Sequence, residues 1–443
     1  MNDNNYPITA TIEIFLDDQW QAIAKLTPTD PTQGYQGQCT LEYLTDYAIE
    51  HSNLSDAKPF GLSCQYPVDF DHHQESHWPA FILDLLPSGF GRKQWLNYLD
   101  LKNGMTADWP LLLRGTAFPP GNLRIAEAAV CKDLSTLVPK AGGELITMRD
   151  HPGFSLDDVV NQNQFFIEYA YQHGIYAAGG SDVQGVAPKL LMNQDHLGSW
   201  HAEGALEDNQ IKSHWLVKRA RGQTRADHKV IKNEAAYMAI AHDLGLMVHG
   251  ELLWNKDSLF IPRFDRSITS DNRVLRYGME SLCSIAGIAD YGVPVSQDRL
   301  CQTLIQFSSN IEEDLIEYIK RDILNIVMGN KDNHARNSAV LKLADGSIRL
   351  SPLFDFAPMY LDPEGIARVC RWSGEAEIAG SPVWNIILER YSNSLANGKN
   401  DLVLFGKQIK QLPSLMKHHG VDEDIIQFCL KSIEHHSLQL MAL

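Results

Sequence analysis

Gly329–Leu341, GNKDNHARNSAVL, and Leu350–Pro358, LSPLFDFAP, decide how this chain is read. Asp332 and Asn337 stand five residues apart in a loop between an apolar helical stretch and a short hairpin, and Asp355 follows that hairpin. Chemistry on ATP needs a carboxylate to orient and deprotonate the attacking hydroxyl. It also needs hard oxygen ligands for a Mg²⁺ that bridges the phosphates. Protein kinases take these from a catalytic-loop Asp, an Asn five positions later and an Asp beyond a β-hairpin. The same residue types occur here in that order. Gly-Asn-Lys-Asp-Asn is also good turn chemistry, so the competing reading is a polar turn, with His334 capping the preceding helix.

The flanks fit a loop held between regular elements. Ile311, Leu315, Ile319, Ile323 and Ile326 form a helical stripe over Ile311–Val327. Ser338–Leu343 and Ser347–Leu350 read as a hairpin around Ala344-Asp345-Gly346, Asp-Gly being a strong turn signal. Upstream, a strand His214–Lys218 precedes a helix Lys229–Leu244 and a strand Ser258–Phe264. A helix Gln164–His173 leads into the glycine-rich GGSDVQGVAPK, Gly179–Lys189. Its glycines allow sharp turns and close backbone approach, and its N–H groups suit phosphate oxygens. Most glycine-rich stretches are nonetheless only loops.

Nearer the start, Ile8–Ile14 alternates apolar and polar residues with the period of a half-buried strand. Gly61–Pro67 and Asn122–Val130 are expected to be strands. Helices are expected at Trp78–Leu86, ended by Pro87, and at Arg92–Leu101. The tail from about 382 to 443 reads as helical. The fold class expected is α+β, with residues 1–135 an N-terminal unit, 136–265 a nucleotide-binding lobe and 266–443 a helical C-terminal lobe carrying the catalytic and metal-binding loops.

Composition excludes several alternatives. With 443 residues, 44% hydrophobic and 21% charged, the chain has enough apolar material for one large core or two. A formal net charge of -17 makes it a poor binder of nucleic acid by itself, since that affinity rests on Lys and Arg. Seven scattered cysteines with no CxxC pair suggest neither a disulfide framework nor a zinc ribbon, so reduced, mostly buried thiols are expected. MNDNNYPITA lacks a signal-peptide pattern and no apolar run approaches a membrane span, which points to a cytoplasmic protein. The histidine groups His72, His73 and His77, His418 and His419, and His435 and His436 lack ligand spacing and read as surface residues. No Gly-x-Ser-x-Gly elbow occurs.

GNKDNHARN resembles the catalytic loop of HipA-like serine/threonine protein kinases, toxins of type II toxin–antitoxin systems, and LSPLFDFAPM resembles their metal-binding strand. The resemblance implies a two-lobed protein-kinase-like fold in which Asp332 is the catalytic base, Asn337 and Asp355 hold Mg²⁺, and His334 is structural but close to the site. LVK, KNEAAYMA and LFIPRFDR resemble the lysine-ended strand, the Asn-Glu-opened helix and the hinge of that family. Alone, Lys218 and Glu234 read as surface residues; the resemblance makes Lys218 the phosphate lysine and Glu234 its partner. Adenine would dock on the Pro262 carbonyl and the Phe264 N–H, with Arg263 in the same hinge, although pairing with Asp265 is the first reading of that arginine. WPAFILDLLPSGFGRKQW, Trp78–Trp95, resembles a further family segment, as does YGMESLCSIAG, which is assigned no chemistry.

The glycine-rich stretch is similar to the family's phosphate-binding loop through Gly180, Ser181, Gly185 and Lys189, the last of which reads equally as a solvated loop residue. It departs from the pattern, with Asp182 three places before Gly185 and Gln184 immediately before it, which puts regulation by loop autophosphorylation in doubt. The resemblance further implies ATP and Mg²⁺ as cofactors, protein substrates with aminoacyl-tRNA synthetases among those of the family, growth arrest, and a small helix-turn-helix antitoxin through which alone nucleic acid would be met. The alternatives are a small-molecule phosphotransferase with the same triad and an inactive nucleotide-binding adaptor that holds an antitoxin.

Overall fold

The computed structural model describes residues 6–52, 60–130, 135, 137–140, 143–173 and 188–443. It is an α+β, kinase-like fold with three hydrophobic cores along the chain. The first core lies under an antiparallel sheet of β1 (Ala10–Leu16), β2 (Gln19–Pro28), β3 (Cys39–Tyr43), β4 (His72–Glu75) and β5 (Leu123–Ile125), in the order β4-β3-β2-β1-β5. The alternation expected around Ile8–Ile14 is realised in β1, where Ala10, Ile12 and Ile14 are buried and Thr11 and Glu13 are not. Helices α1 (Thr45–His51), α2 (Ala80–Leu85), α3 (Gly89–Tyr98), α4 (Asp108–Gly115) and α5 (Ala126–Val130) complete this part. Leu86 turns extended after α2, as a residue preceding proline must.

Two strand expectations fail here. Asn122–Val130 is a strand only over Leu123–Ile125; the Ala-Glu-Ala-Ala run then winds into α5, alanine being the best helix former. Gly61–Pro67 is no strand, because side chains take its backbone N–H groups in place of a ladder. Leu62 N donates to Tyr43 Oη at 2.7 Å and Cys64 N to Glu280 Oε2 at 2.9 Å.

After a two-stranded ribbon, β6 (Leu137–Pro139) and β7 (Leu145–Thr147), and helices α6 (Leu156–Asn161) and α7 (Gln164–His173), comes a second antiparallel sheet. It comprises β8 (Lys189–Asp195), β9 (Trp200–Ala202), β10 (Ile211–Arg219), β11 (Leu253–Asn255) and β12 (Ser258–Pro262), ordered β11-β12-β10-β8-β9. Helix α8 (Arg225–Asp243) packs on β12 and starts at a capping box of Thr224 and Asp227. A second ribbon, β13 (Arg266–Ile268) and β14 (Val274–Arg276), leads into β15 (Gly278–Ser281) and α9 (Leu282–Ile285).

The third core is helical: α10 (Gln297–Phe307), α11 (Ile311–Val327), α12 (Trp384–Arg390), α13 (Gly398–Ile409), α14 (Leu412–His418) and α15 (Glu423–Met441). Helix α11 has the bounds its apolar stripe predicts, with Leu315, Ile319 and Ile323 wholly buried. The expected hairpin is β16 (Ala339–Lys342) and β17 (Ile348–Leu350), and β15 joins it on the far side of β16. Thus the segment YGMESL, left without a role in the sequence, completes the sheet, and the loop before β16 and the chain leaving β17 toward Asp355 lie at the same end of it, opposite the Asp-Gly turn.

Among the described residues no helix is long and apolar enough to cross a membrane. Of the cysteines described, Cys39, Cys283, Cys301, Cys370 and Cys429 are buried, Cys64 is half-buried, and all are free thiols. The surface reading of the paired histidines is wrong for His436, which is buried and accepts the indole N–H of Trp384 at 3.0 Å.

Candidate active site

One cleft lies between the second sheet, the β15–β16 sheet and α2, and Lys189, Lys218, Glu234, Pro262, Arg263, Phe264, Asn337 and Asp355 all line it. Asp332, His334, Asn337 and Asp355 share an adjoining polar recess. Residues as far apart as 189 and 355 are therefore brought together. Gly180, Ser181 and Gly185, with Asp182 and Gln184, lie outside the described residues.

Lys218 reaches the cleft because β10 is the central strand of its sheet, paired to β8 and β12 on either side. Its Nζ donates to Glu234 Oε2 at 2.7 Å and also bonds Asp355 Oδ1. Glu234 arrives from the buried face of α8 and is itself only 1% exposed. Burial works against the ammonium, but the carboxylates of Asp355 and Glu234 outweigh it and hold Lys218 charged well above the ordinary lysine range. Lys189, which opens β8 directly across from Lys218, donates to Asp355 Oδ2 at 3.2 Å.

Asp355 sits at φ 55°, in the left-handed region that Asp tolerates better than most residues. Burial raises its carboxyl, yet Lys189 and Lys218 more than offset this and hold it far below the usual carboxylate range. The carboxylate stays ionised.

The loop before β16 is fixed by its own side chains. Asp332 N donates to Asn330 Oδ1 at 3.2 Å, and a one-turn 3₁₀ helix, Ala335–Asn337, follows. His334 does not cap the helix before it, α11. It heads this turn, its Nδ1 accepting from Arg336 N at 3.2 Å, with Nε2 3.5 Å from Asp332 Oδ1. Burial pushes the imidazole down toward the neutral form, as suits an acceptor. Asn337 donates its amide to the Asp332 carbonyl at 2.9 Å, which aligns the two residues and leaves Oδ1 for a cation. Burial raises the Asp332 carboxyl against the pull of His334, making it a stronger proton acceptor than an exposed aspartate.

At the hinge, Pro262 pairs with Trp215 as the last residue of β12, so its missing N–H costs no ladder bond. Phe264 lies beside Phe354, ring centroids 5.6 Å apart, giving an apolar wall for a flat ring. Arg263 is spent on protein partners, as its first reading had it. It donates to Asp265 through Nε (2.9 Å) and Nη2 (2.6 Å) and to Glu203 through Nη1 (3.0 Å).

Three residues that matter to this arrangement escaped the sequence reading. Asn333 accepts from Val369 N and Cys370 N and donates to Cys370 O at 2.7 Å, tying the loop to the segment after Asp355. Arg336 lines the cleft and pairs with Asp84 of α2, which lines it too. A signal existed for Asp84: it is the one charged residue in the apolar run Trp78–Leu86, and an acid in such a run is usually buried with a partner.

The donor set fits a hard cation. One ionised carboxylate and one amide oxygen beside two lysines are what a Mg²⁺ sharing its shell with phosphates and water takes. Among the described residues no group of three or more His, Cys, Asp and Glu gathers into a cage of protein ligands alone.

Comparison with known proteins bears on the family and the fold. Residues 181–400 match the model of the HipA-like C-terminal domain family. A curated relative, "Putative kinase Y4mE" of Sinorhizobium fredii, is 28% identical over 142 residues, 30% of this chain and 33% of that protein, so the match spans a third of the relative's length. The solved complex of the Shewanella oneidensis MR-1 toxin–antitoxin system HipA, HipB and its operator DNA superposes with a TM-score of 0.62. It covers 98% of this chain and 96% of that one at 18% identity, a likeness of fold. The Helicobacter pylori proinflammatory kinase CtkA reaches a TM-score of 0.36 at 11% identity over 60% of this chain and 90% of that chain.

Proposed function

We propose, on the premise that this chain carries a HipA-like C-terminal domain over residues 181–400, that it is an ATP- and Mg²⁺-dependent serine/threonine protein kinase. The observation that carries the reading is the Glu234–Lys218–Asp355 chain of contacts, set in one cleft with Asn337 and with Asp332 beside it.

Adenine would lie against Phe264 at the 262–264 hinge, with Lys218 and Lys189 toward the phosphates. Both lysines already hold an anion in Asp355, so they are placed to hold another. Asn337 and Asp355 would ligate Mg²⁺, which when bound would neutralise charge developing on the transferred phosphoryl group. Asp332 would orient a Ser or Thr hydroxyl and accept its proton. Its carboxyl is raised by burial, which favours that step. His334, neutral and turned toward Asp332, would keep the loop in shape.

The fold likeness to a toxin solved with HipB supports a partner of the antitoxin kind. With a net charge of -17, this chain would meet DNA through such a partner rather than by its own surface. Protein targets of the aminoacyl-tRNA synthetase class and a growth-arrest outcome belong to the same proposal.

The test is incubation of the purified chain with Mg-ATP and cell lysate, read by phosphosite mass spectrometry. New phosphoserine or phosphothreonine on proteins, absent with Asp332→Asn, is the expected result. Undiminished labelling by Asp332→Asn refutes the base assignment, and no labelling at any Mg²⁺ concentration refutes the kinase reading.

A further inference from the structure

Arg336 sits in sequence between the two residues that matter most to the loop, Asp332 and Asn337, and its guanidinium is gripped from the N-terminal unit and from the segment that follows α9. Nη1 pairs with Asp84 Oδ1 at 2.5 Å, Nη2 approaches the Asp290 carbonyl at 3.4 Å, and the group lies over the Tyr291 ring, 5.1 Å from its centroid. Asp84 is firmly placed. It accepts Ser281 N and Ser281 Oγ, each at 2.9 Å, and its helix buries Phe81, Ile82 and Leu85 in the N-terminal core. A second strut from the same unit reinforces the first: Tyr35 Oη donates to Asp290 Oδ1 at 3.0 Å, and its ring meets Tyr291 edge-on at 5.2 Å.

We infer that Asp84 is a positioning residue for the metal site, acting through Arg336 to hold the Ala335–Asn337 turn so that Asn337 faces Asp355. This rests on the kinase reading of the site. The physical case is that a single 3₁₀ turn has little stability of its own, with one i→i+3 bond, Asn337 N to His334 O at 2.9 Å, across it. The loop's own side-chain bonds, from Arg336 N to His334 Nδ1 and from Asn337 Nδ2 to Asp332 O, shape the turn, and a contact from outside sets how it sits in the cleft. The Asp84–Arg336 pair is charge-assisted and largely shielded from water, so it is worth more than an exposed ion pair. Arg336 and Asn337 are adjacent, so a turn released at the arginine swings the amide oxygen away from Asp355, while Asp355 itself stays tied to Lys189 and Lys218. The N-terminal unit thereby becomes a working part of the cleft rather than a passive appendage.

The experiment uses the full chain and a non-hydrolysable ATP analogue, titrated with and without Mg²⁺, alongside thermal melting. Asp84→Asn keeps the shape and one acceptor for Ser281 but removes the charge on Arg336. It is expected to raise the Mg²⁺ needed for half-maximal tightening about tenfold, to leave metal-free nucleotide affinity within about twofold, and to add no further effect in an Arg336→Gln background. An unchanged Mg²⁺ requirement in folded Asp84→Asn overturns the inference, as does an equal loss of affinity with and without metal. Should Asp84→Asn not fold, Arg336→Gln breaks the same contact from the loop side and is read by the same criteria. A wild-type chain that binds the analogue with Mg²⁺ but labels no protein refutes the kinase reading while leaving Asp84 testable; one that binds no analogue refutes both.

Discussion

Lys218 Nζ lies 2.7 Å from Glu234 Oε2, a contact that joins the central strand β10 to the buried face of α8 under the cleft. The pair is almost fully shielded from solvent, and Lys218 bonds Asp355 at the same time. Glu234→Gln preserves shape and an acceptor but leaves Asp355 as the one carboxylate on Lys218. Lys218 is then drawn toward Asp355 and away from where phosphates would lie. The expected result is a fall in kcat/KM for phosphoryl transfer of about 10²-fold with a melting temperature close to wild type. A rate within twofold of wild type reduces this pair to scaffold.

Asp332→Asn and Asp355→Asn should fail differently. The first removes the proton acceptor and leaves the cation and nucleotide contacts, so transfer drops by roughly 10²- to 10⁴-fold while nucleotide affinity holds. The second removes the metal carboxylate and strips Lys189 and Lys218 of their shared counter-charge. Nucleotide binding then loses its dependence on Mg²⁺, which isothermal titration with and without the metal reports. Identical behaviour of the two variants in both assays contradicts the division of roles.

Much of this cleft was legible because its chemistry is local in sequence. Asp332, Asn337 and Asp355 are bracketed by a helix with an unbroken apolar stripe and a hairpin with an Asp-Gly turn, and both formed where expected. The lysine-ended strand and the glutamate on α8 were legible only through family resemblance, since a lone Lys and Glu look like surface residues. What stayed hidden was made by contacts across long separations. Asp84 meets Arg336 across 252 positions and Lys189 meets Asp355 across 166, and no spacing rule reaches that far. The Gly61–Pro67 stretch failed for the same reason, its N–H groups being claimed by Tyr43 and by Glu280, 216 positions from Cys64. Asn122–Val130 failed locally, where alanine propensity overrode a weak apolar alternation.

Behind the hinge, Asp265 is shared by Arg263 and Arg266 and also accepts Gly121 N at 2.7 Å, while Arg266 donates to Gly121 O at 2.6 Å. Burial raises the Asp265 carboxyl, but the two guanidiniums overcome this and hold it below the usual range. Asp265→Asn leaves Arg266 buried without a carboxylate partner of its own and loosens Gly121. Breaking one side of such a pair costs about 3–5 kcal/mol, measurable by urea denaturation. A loss under 1 kcal/mol would mean that water or Glu203 takes over the charge.

His436 gives the chain a specific acid sensitivity far from the cleft. It is 4% exposed, accepts the Trp384 indole N–H at 3.0 Å, and burial, with His435 beside it, lowers its pKa from 6.5 to about 4. The imidazole must stay neutral to accept that bond. Between pH 6.5 and 4 the unfolded chain therefore takes up a proton that the fold refuses, so the stabilisation is full above pH 6.5 and drains away as pH falls, by about 3 kcal/mol in all. His151, stacked on Phe154 and likewise lowered to about 4, contributes over the same window. His436→Gln should start less stable at pH 7.5, through the altered indole contact, yet lose less on acidification, because the His436 share of the slope is gone while that of the other lowered imidazoles, His151, His201, His249 and His334, remains. Urea midpoints at half-unit pH steps decide it: parallel curves for wild type and variant from pH 7 to pH 4.5 would show that His436 is protonated as readily in the fold as out of it.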